Sequence, residues 1–234
     1  MIRKELDGVE WLEFELFSEL PELVHGIFLR GNGGGTSDSS RAAMQKALGF
    51  DELVSAAQKH GTNIVKVPST DALLNENCDG MMTEASGLGL LINHADCQAA
   101  VIYDPVKKAI GAVHCGWRGN VHNMYAHAVQ FMRQAVGSRA EDLLVGISPS
   151  LGPQHSEFIH YEKEWPNQFW EFQIRPTYFD LWEMSRYQLE EAGVLPHHIE
   201  VANICTYENK EDFFSYRRDK IAGSNNGTVI AMRE

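Results

Sequence analysis

The chain has 234 residues, 44% of them hydrophobic, and a formal net charge of −12 at pH 7. That apolar content can build a sizeable core, whereas the negative charge disfavours a nucleic-acid backbone as a partner. No apolar run approaches the roughly 18 residues of a membrane span, and segment 1–7 lacks the apolar region of a secretory signal. We therefore expect a cytoplasmic protein that contacts no membrane and keeps its four cysteines reduced.

The first half of the chain predicts strands interrupted by one helix. Residues 31–40 are rich in Gly and Ser and predict a flexible connector; no Gly-Lys-Ser/Thr follows, so this is not a phosphate-binding loop. Ser40 is placed to cap a helix that runs through Leu48 and stops at Gly49. Apolar alternation or short β-branched and apolar runs predict strands over 11–17, 25–30, 63–67, 89–93 and 99–103.

The second half continues with two longer helices. A turn at Asp104-Pro105 precedes a returning strand. A helix opens at Gly119-Asn120 and ends at Gly137, and a second covers 179–192. Further strands are predicted over 109–114, 143–147, 199–202 and 228–232. Without a regular βαβ period, an internal repeat or a long linker, the chain is expected to form one α+β (mixed α/β) domain with mixed sheets over residues 1–234.

Three residues from separate segments stand out as metal-ligand candidates. Cys97 follows Asp96 at the mouth of a predicted strand, and His114 ends the next strand, so the two can meet at one end of a sheet. His60 lies in a loop before another strand. A thiolate and two imidazoles with no evident fourth ligand are typical of a catalytic zinc rather than a structural one.

The spacing alone leaves other interpretations open. Cys97 and His114 could form a nucleophile–base pair without metal, or all three residues could be ordinary core and loop positions. A copper-binding redox protein is a further possibility, although laccase chemistry requires several coppers and more histidines than this group offers.

Several sequence blocks occur in an order that resembles the YfiH, or laccase-domain, family, also called multicopper polyphenol oxidase or peptidoglycan editing factor. The resemblance extends from about His25 to the C-terminal end of the sequence. The pair formed by Ala-Asp-Cys and His-x-Gly-Trp-Arg-Gly is the most specific part of it. The blocks are 58–61, 79–83, 95–97, 114–119, 147–153 and 213–218.

The resemblance implies a zinc-dependent purine nucleoside phosphorylase. Such enzymes cleave adenosine, inosine and methylthioadenosine with phosphate, and they also deaminate adenosine. The family's metal ligands map onto His60, Cys97 and His114, with Zn²⁺ as the expected ion and Cu²⁺ as a possibility. The resemblance also implies mixed sheets between helical layers, a fold related to a toxin whose catalytic pair is Cys and His. One of the family's names suggests a role in editing cell-wall precursors.

Around this centre we expect residues that handle protons and anions. Asp96 and Arg118 join Cys97 and His114 as catalytic candidates, since Arg118 follows the ligand segment and its guanidinium can hold phosphate. The candidate substrate-binding residues are Arg30, Arg41, Arg217 and Arg218.

The sequence also departs from the family pattern away from the proposed ligands. The segment 31–40 is short, and Ser40-Arg41 stands where the family has an Asn-Arg pair. Gln98-Ala99 lacks the usual Pro, and Ser148 replaces a Gly. Gln154-His155 stands where many members have Cys residues.

Overall fold

A computed structural model describes residues 1–31, 37–68 and 77–233. Most of the expected connector at 31–40, namely residues 32–36, lies outside the described residues. The helices are α1 (Asp38–Leu48), α2 (Trp117–Val121), α3 (Met124–Val136), α4 (Tyr161–Glu164), α5 (Leu181–Glu191) and α6 (Tyr216–Asp219). The strands are β1 (Ile2–Leu6), β2 (Val9–Glu13), β3 (Leu23–Phe28), β4 (Glu52–Ser55), β5 (Ile64–Lys66), β6 (Gly80–Thr83), β7 (Leu88–His94), β8 (Gln98–Asp104), β9 (Ala109–Cys115), β10 (Leu144–Ile147), β11 (Gln173–Arg175), β12 (Tyr178–Phe179), β13 (Ile199–Val201) and β14 (Asn226–Met232).

Two mixed sheets of six strands each form the centre of the protein. The first has the order β1-β2-β3-β14-β7-β4 and the second the order β13-β10-β8-β9-β6-β5. Each sheet combines antiparallel pairs with parallel ones, such as β4 with β7 and β5 with β6. A small third sheet pairs β11 with β12.

The two large sheets pack face to face with helices outside them. Strand β8 shows the layering, because its alternate side chains point to opposite faces. Val101 and Tyr103 join the core cluster shared with β3, β7 and β14, whereas Ala100 and Ile102 pack in the cluster that contains α3. Helix α1 covers the other face of the first sheet through Met44. The expected mixed sheets between helical layers are therefore confirmed, while a single domain over residues 1–234 stays a prediction.

Two helices begin at positions other than those predicted from the sequence, because a polar residue caps the first turn of each. The cap of α1 is Ser37, whose hydroxyl accepts the Ser40 N–H, because capping from this position satisfies a free amide of the first turn. The single helix expected from Gly119-Asn120 is two helices. Asn123, with φ +55°, interrupts the helical conformation between α2 and α3 and caps α3 through its side chain. Gly137 ends α3 in the left-handed region, as expected.

Other differences concern short elements. The strand expected over 11–17 ends at Glu13 and is followed by a 3₁₀ turn, Glu15–Phe17. Strands β1 and β6, the pair β11–β12 and the short helices α4 and α6 were not anticipated, because they are too short or too irregular to show a period. No helix among the described residues is both long and apolar enough to cross a lipid bilayer.

The buried side chain of His25 makes the stability of the fold depend on pH. His25 on β3 is 4% exposed, stacks on Phe14, meets Phe17 edge to face, and its Nε2 accepts the Phe14 N–H at 2.7 Å. Burial lowers the pKa of His25 to about 4. In the unfolded chain His25 is protonated as the pH falls below about 6.5, whereas in the folded chain it stays neutral until about pH 4. The neutral, buried His25 therefore contributes fully to the free energy of unfolding above pH 6.5, and this contribution is lost as the pH falls towards 4.

We predict that His25→Gln weakens the dependence of stability on pH. The native histidine should cost about 2 kcal/mol of unfolding free energy between pH 7 and pH 5, and the variant should not show this loss. Urea unfolding at both pH values measures the difference. His127→Gln, which changes an exposed histidine, should keep the full dependence. An equal pH dependence in both variants would refute the assignment.

Candidate metal centre

The antiparallel pairing of β8 and β9 brings Cys97 and His114 together. Gln98 is opposite Cys115 and Ala99 is opposite His114, so Cys97, just before β8, lies beside the end of β9. His60 approaches from the loop before β5. The ligand atoms of His60, Cys97 and His114 all lie within 4.8 Å of one another. The ring centroids of the two histidines are 4.8 Å apart, with the planes at 84°.

The buried carboxylate of Asp79 connects two of these three segments. It accepts the backbone N–H groups of Lys59, His60 and Gly61 at 3.0, 2.8 and 2.8 Å. It also lies 2.9 Å from His114 Nδ1. An ionised carboxylate only accepts hydrogen bonds, so Nδ1 of His114 carries a proton and Nε2 is the nitrogen available to a metal, which would displace any proton held there. The carboxylate thus orients His114 as a ligand.

The backbone at Gly116 passes close to the group. A Cβ placed there would lie 2.9 Å from Cys97 Sγ and 3.1 Å from His60 Cδ2. Any larger residue would push two of the three donors aside. Gly116 therefore has a steric reason to be glycine, and its close approach covers the donors from the β9 side.

The charges at the site favour ionised side chains. Burial alone would raise the pKa of the Cys97 thiol, but the adjacent imidazoles of His114 and His60 lower this pKa to about 7. Burial opposes protonation of His114, yet Asp79 and Cys97 raise the pKa of its imidazole. Burial would likewise raise the pKa of Asp79, and the bonds from His114 and the backbone lower it. A positive charge placed among the three donors is therefore favourable.

This donor set fits a borderline metal ion. One thiol and two imidazoles are the ligands that zinc and copper select, whereas magnesium and calcium require oxygen. Three protein ligands leave a position for a reactant. The carboxylate behind His114 repeats the arrangement that orients metal-bound histidines in other proteins.

A cavity of about 530 Å³ opens beside the donors. Its walls are largely apolar and aromatic, including Trp117, Phe158 and Tyr216. Polar groups come from Gln58 and Asn93, and residues 221–225 close one side. The volume lies within the range of small-molecule sites, and aromatic walls suit a flat ring.

Asp96 and Arg217 are the predicted residues that line this cavity with the donors. Asp96, with φ +81°, accepts the Thr206 hydroxyl and the Arg217 N–H through its two carboxylate oxygens. The Arg217 guanidinium donates to the carbonyls of His155 and Glu157. Carbonyls do not neutralise its charge, so Arg217 is a cation fixed at the pocket wall.

The other predicted arginines are not among the residues that line the cavity. Arg118 is exposed and stacks on Trp117, with its Cζ 4.2 Å from the ring centroid. Arg41 donates to Ser55 Oγ and to the Leu53 carbonyl, which ties α1 to β4.

Arg30 and Arg218 are held by the segment that follows β13. Arg30 donates to the Lys210 carbonyl and lies 3.8 Å from Asp219. Arg218 places its donors on Asp219 and on backbone carbonyls at Thr206, Tyr207 and Phe213. With those donors occupied, Arg218 supports the pocket wall from behind.

Sequence reasoning did not assign some residues that shape the site. The sequence left Asp79 open between a turn residue before Gly80 and a partner that orients a ligand histidine, and the structure shows its bond to His114. The aromatic wall combines residues far apart in sequence, so no local pattern could group them. His94 is buried at the end of β7, with Nε2 2.8 Å from Thr228 Oγ1 on the adjacent strand β14, a neighbour that the sequence does not show.

Comparisons with known proteins agree with this architecture. The crystal structure of a hypothetical protein YfiH from Bacillus licheniformis superposes with a TM-score of 0.83 at 23% identity, covering 96% of each chain. The structure of YlmD from Geobacillus stearothermophilus gives a TM-score of 0.82 at 24% identity and covers 99% of this chain and 98% of the other. These similarities establish the fold.

Several relatives with similar sequences are named purine nucleoside phosphorylases. A purine nucleoside phosphorylase of Bacteroides thetaiotaomicron is 32% identical over 77% of this chain and 72% of its own length. The purine nucleoside phosphorylase YlmD of Geobacillus stearothermophilus is 30% identical over 83% and 77%, respectively. The mouse purine nucleoside phosphorylase LACC1 is 34% identical over 67% of this chain, which spans 38% of that longer protein.

The family model described as multi-copper polyphenol oxidoreductase laccase matches residues 36–233. This match includes the segments of all three donors and confirms the resemblance drawn from the sequence. The chain therefore belongs to the multi-copper polyphenol oxidoreductase laccase family.

Proposed function

We propose that this protein is a zinc-dependent purine nucleoside phosphorylase, a glycosyltransferase that also deaminates adenosine. Its substrates are adenosine, inosine and methylthioadenosine together with inorganic phosphate. The observation that carries the proposal is the convergence of His60, Cys97 and His114 at the wall of a cavity that has aromatic sides and a fixed cation. The names of the relatives, which are purine nucleoside phosphorylases, support the same chemistry.

The residues that would hold the zinc are His60, Cys97 and His114. When bound, zinc supplies a Lewis acid that polarises an oxygen of phosphate or water. The same donors accept copper, in keeping with the family's description, so elemental analysis must report both metals. Asp79 keeps the Nε2 lone pair of His114 directed away from the carboxylate, whichever metal is present.

Phosphorolysis needs an anion site and a base site in the same cavity. We assign phosphate to the side of Arg217, whose charge has no carboxylate partner among the described residues. The purine packs against the aromatic wall at Trp117 and Phe158. A phosphate oxygen then bonds to the anomeric carbon of the ribose as the bond from that carbon to the base nitrogen breaks, and the leaving base takes up the proton that the hydrogen phosphate loses.

Asp96 acts in this scheme as a positioning residue. Its carboxylate accepts the N–H of Arg217, and its backbone carbonyl accepts the N–H of Leu151 at 2.9 Å. These bonds fix the start of β8, and hence Cys97, relative to the arginine. Asp96 thereby sets the distance between the anion site and the metal donors.

Deamination uses the same cavity without phosphate. Water replaces the amino group at C6 of adenine, which leaves as ammonia, and inosine is the product. The reaction requires the adenine ring to reach the three donors.

A cysteine hydrolase is the second candidate. The lowered pKa of the Cys97 thiol and the raised pKa of His114 are what a nucleophile–base pair would show. Removal of metal by a chelator separates the two functions, since a metal-free cysteine enzyme would keep its activity.

The first prediction for this site concerns metal content. His60→Gln and Cys97→Ser should each lose about one zinc per chain, because three donors become two and a thiolate is a stronger ligand than a hydroxyl. Elemental analysis of protein purified without added metal measures the loss. The matched control His127→Gln makes the same change at another exposed histidine and should keep its zinc. Undiminished zinc in both site variants would rule out this ligand set.

The second prediction concerns the nucleophile. Release of adenine from adenosine should require inorganic phosphate and yield ribose 1-phosphate, whereas inosine formation should proceed in phosphate-free buffer. Chromatography of the products with and without phosphate distinguishes the reactions. If adenine release continued unchanged without phosphate, the protein would be a nucleoside hydrolase.

The third prediction concerns Arg217. Arg217→Ala should reduce kcat/KM for phosphate by roughly 10- to 150-fold, the effect of losing a charge-assisted contact of about 1.5–3 kcal/mol. Deamination should fall much less, because it needs no phosphate. Arg133→Ala, which removes an exposed arginine of α3, is the matched control.

Arg118→Ala tests the competing anion site next to Trp117. Should this variant lose phosphate use while Arg217→Ala keeps it, the phosphate would lie on the other side of the indole ring. Equal loss of both reactions and of metal in Arg217→Ala would make Arg217 a support of the fold.

A further inference from the structure

A second group of metal-type ligands lies apart from the first and shares no residue with it. A ring nitrogen of His155, Sγ of Cys205 and a carboxylate oxygen of Glu208 lie within 4.8 Å of one another. Nε2 of His155 is already 3.0 Å from Oε1 of Glu208. A thiol, an imidazole and a carboxylate in such proximity are a donor set for a borderline transition metal.

The backbone around Cys205 is fixed before any ion arrives. Ser150 and Cys205 form an isolated parallel bridge, in which the Ser150 N–H donates to the Ile204 carbonyl and the Thr206 N–H donates to the Ser150 carbonyl. The N–H of Gly152 points at Cys205 Sγ across 3.2 Å. This N–H donated to sulfur holds the Sγ atom in a fixed direction.

Gly152 allows this approach because it has no side chain. A Cβ at that position would lie 3.0 Å from the Cβ of Cys205 and 3.1 Å from its Sγ. The histidine is held as well: its ring stacks on Tyr207 with the centroids 4.2 Å apart and the planes at 19°. Two of the three ligands therefore have little freedom to lose when a metal binds.

The third ligand, Glu208, lies on the surface, so the group of donors can be reached from solvent. The side chain of Glu208 is 60% exposed and that of His155 is 30% exposed. An ion can enter without a rearrangement of the core, and water can complete its coordination. The simplest alternative is a surface His–Glu pair that happens to lie near a buried thiol.

We propose that His155, Cys205 and Glu208 form a second transition-metal site, which takes a divalent ion of the zinc type independently of the first centre. Its position gives it a structural role at the pocket. The carbonyl of His155 accepts from Arg217, so an ion that clamps His155 to Cys205 also stiffens the wall that carries the pocket cation.

Cobalt titration of metal-free protein tests the proposal, because Co²⁺ bound by a thiolate has a charge-transfer band that water-coordinated Co²⁺ lacks. The unmodified chain should bind about two Co²⁺, and Cys97→Ser should keep about one, still with a thiolate band. In the Cys97→Ser background, His155→Gln should weaken the remaining site at least about tenfold, as expected when one of three ligands is removed. The matched control His160→Gln, at a nearby exposed histidine, should not change it.

The design separates failure of this site from failure of the first. The second site would be overturned if Cys97→Ser showed no thiolate band. It would also be overturned if, in the Cys97→Ser background, neither His155→Gln nor Cys205→Ser changed the affinity for Co²⁺. A band abolished by Cys205→Ser alone and untouched by Cys97→Ser would instead confirm the second site and reject the first. Because Cys205 is buried and its replacement can disturb folding, the surface variant His155→Gln with an unchanged circular dichroism spectrum decides the matter.

Discussion

The candidate metal centre depends on one buried carboxylate. Asp79 accepts three successive backbone amides of the His60 loop and the ring N–H of His114, and its own carbonyl accepts the His114 N–H at 2.7 Å. Four bonds approach the full capacity of a carboxylate, so removing it would leave several buried donors without partners. His60 has φ +61°, an unfavourable conformation for a non-glycine residue, and the bonds from its loop to Asp79 offset that cost. A single side chain thus sets both the shape of the loop and the orientation of the strand ligand.

The remaining geometry follows from how the two sheets are built. The register of the β8–β9 hairpin places Cys97 beside His114, because a slip of one residue between the two strands would turn one of these side chains to the opposite face. The pocket forms where the ends of β7, β8 and β9 meet segments from the C-terminal part of the chain. His114 lies on β9, Cys97 lies directly before β8 and His60 lies in a loop tied to Asp79, whereas other loops and a short helix supply the aromatic and cationic walls. Such a division allows walls to change without moving the donors.

Much of the fold and the centre of the site could be predicted from the sequence. Strands β7 to β9 and helices α1, α3 and α5 have clear periods or end signals, and Cys97, His114 and His60 are unusual enough to be grouped with the help of a family resemblance. The arginines show the limit of that approach. Arg118 was favoured because it follows the ligand segment, yet it is not among the residues that line the cavity, and its guanidinium stacks on Trp117. Arg217 and Arg218 are adjacent in sequence and looked equivalent, but only Arg217 lines the cavity. Such differences of direction arise from tertiary packing, which no local pattern records.

The place of β14 has a consequence for how the molecule assembles. This strand follows all the others in the chain, yet it lies in the middle of the first sheet, between β3 and β7. Until residues 226–232 are available, β3 and β7 have no common neighbour, and His94 lacks Thr228. Pairings between segments so distant in sequence carry a high entropic cost and form late. During synthesis on the ribosome, the nascent chain can therefore fold the β8–β9 hairpin early, but the completed cavity must await the emergence of its C-terminal strand.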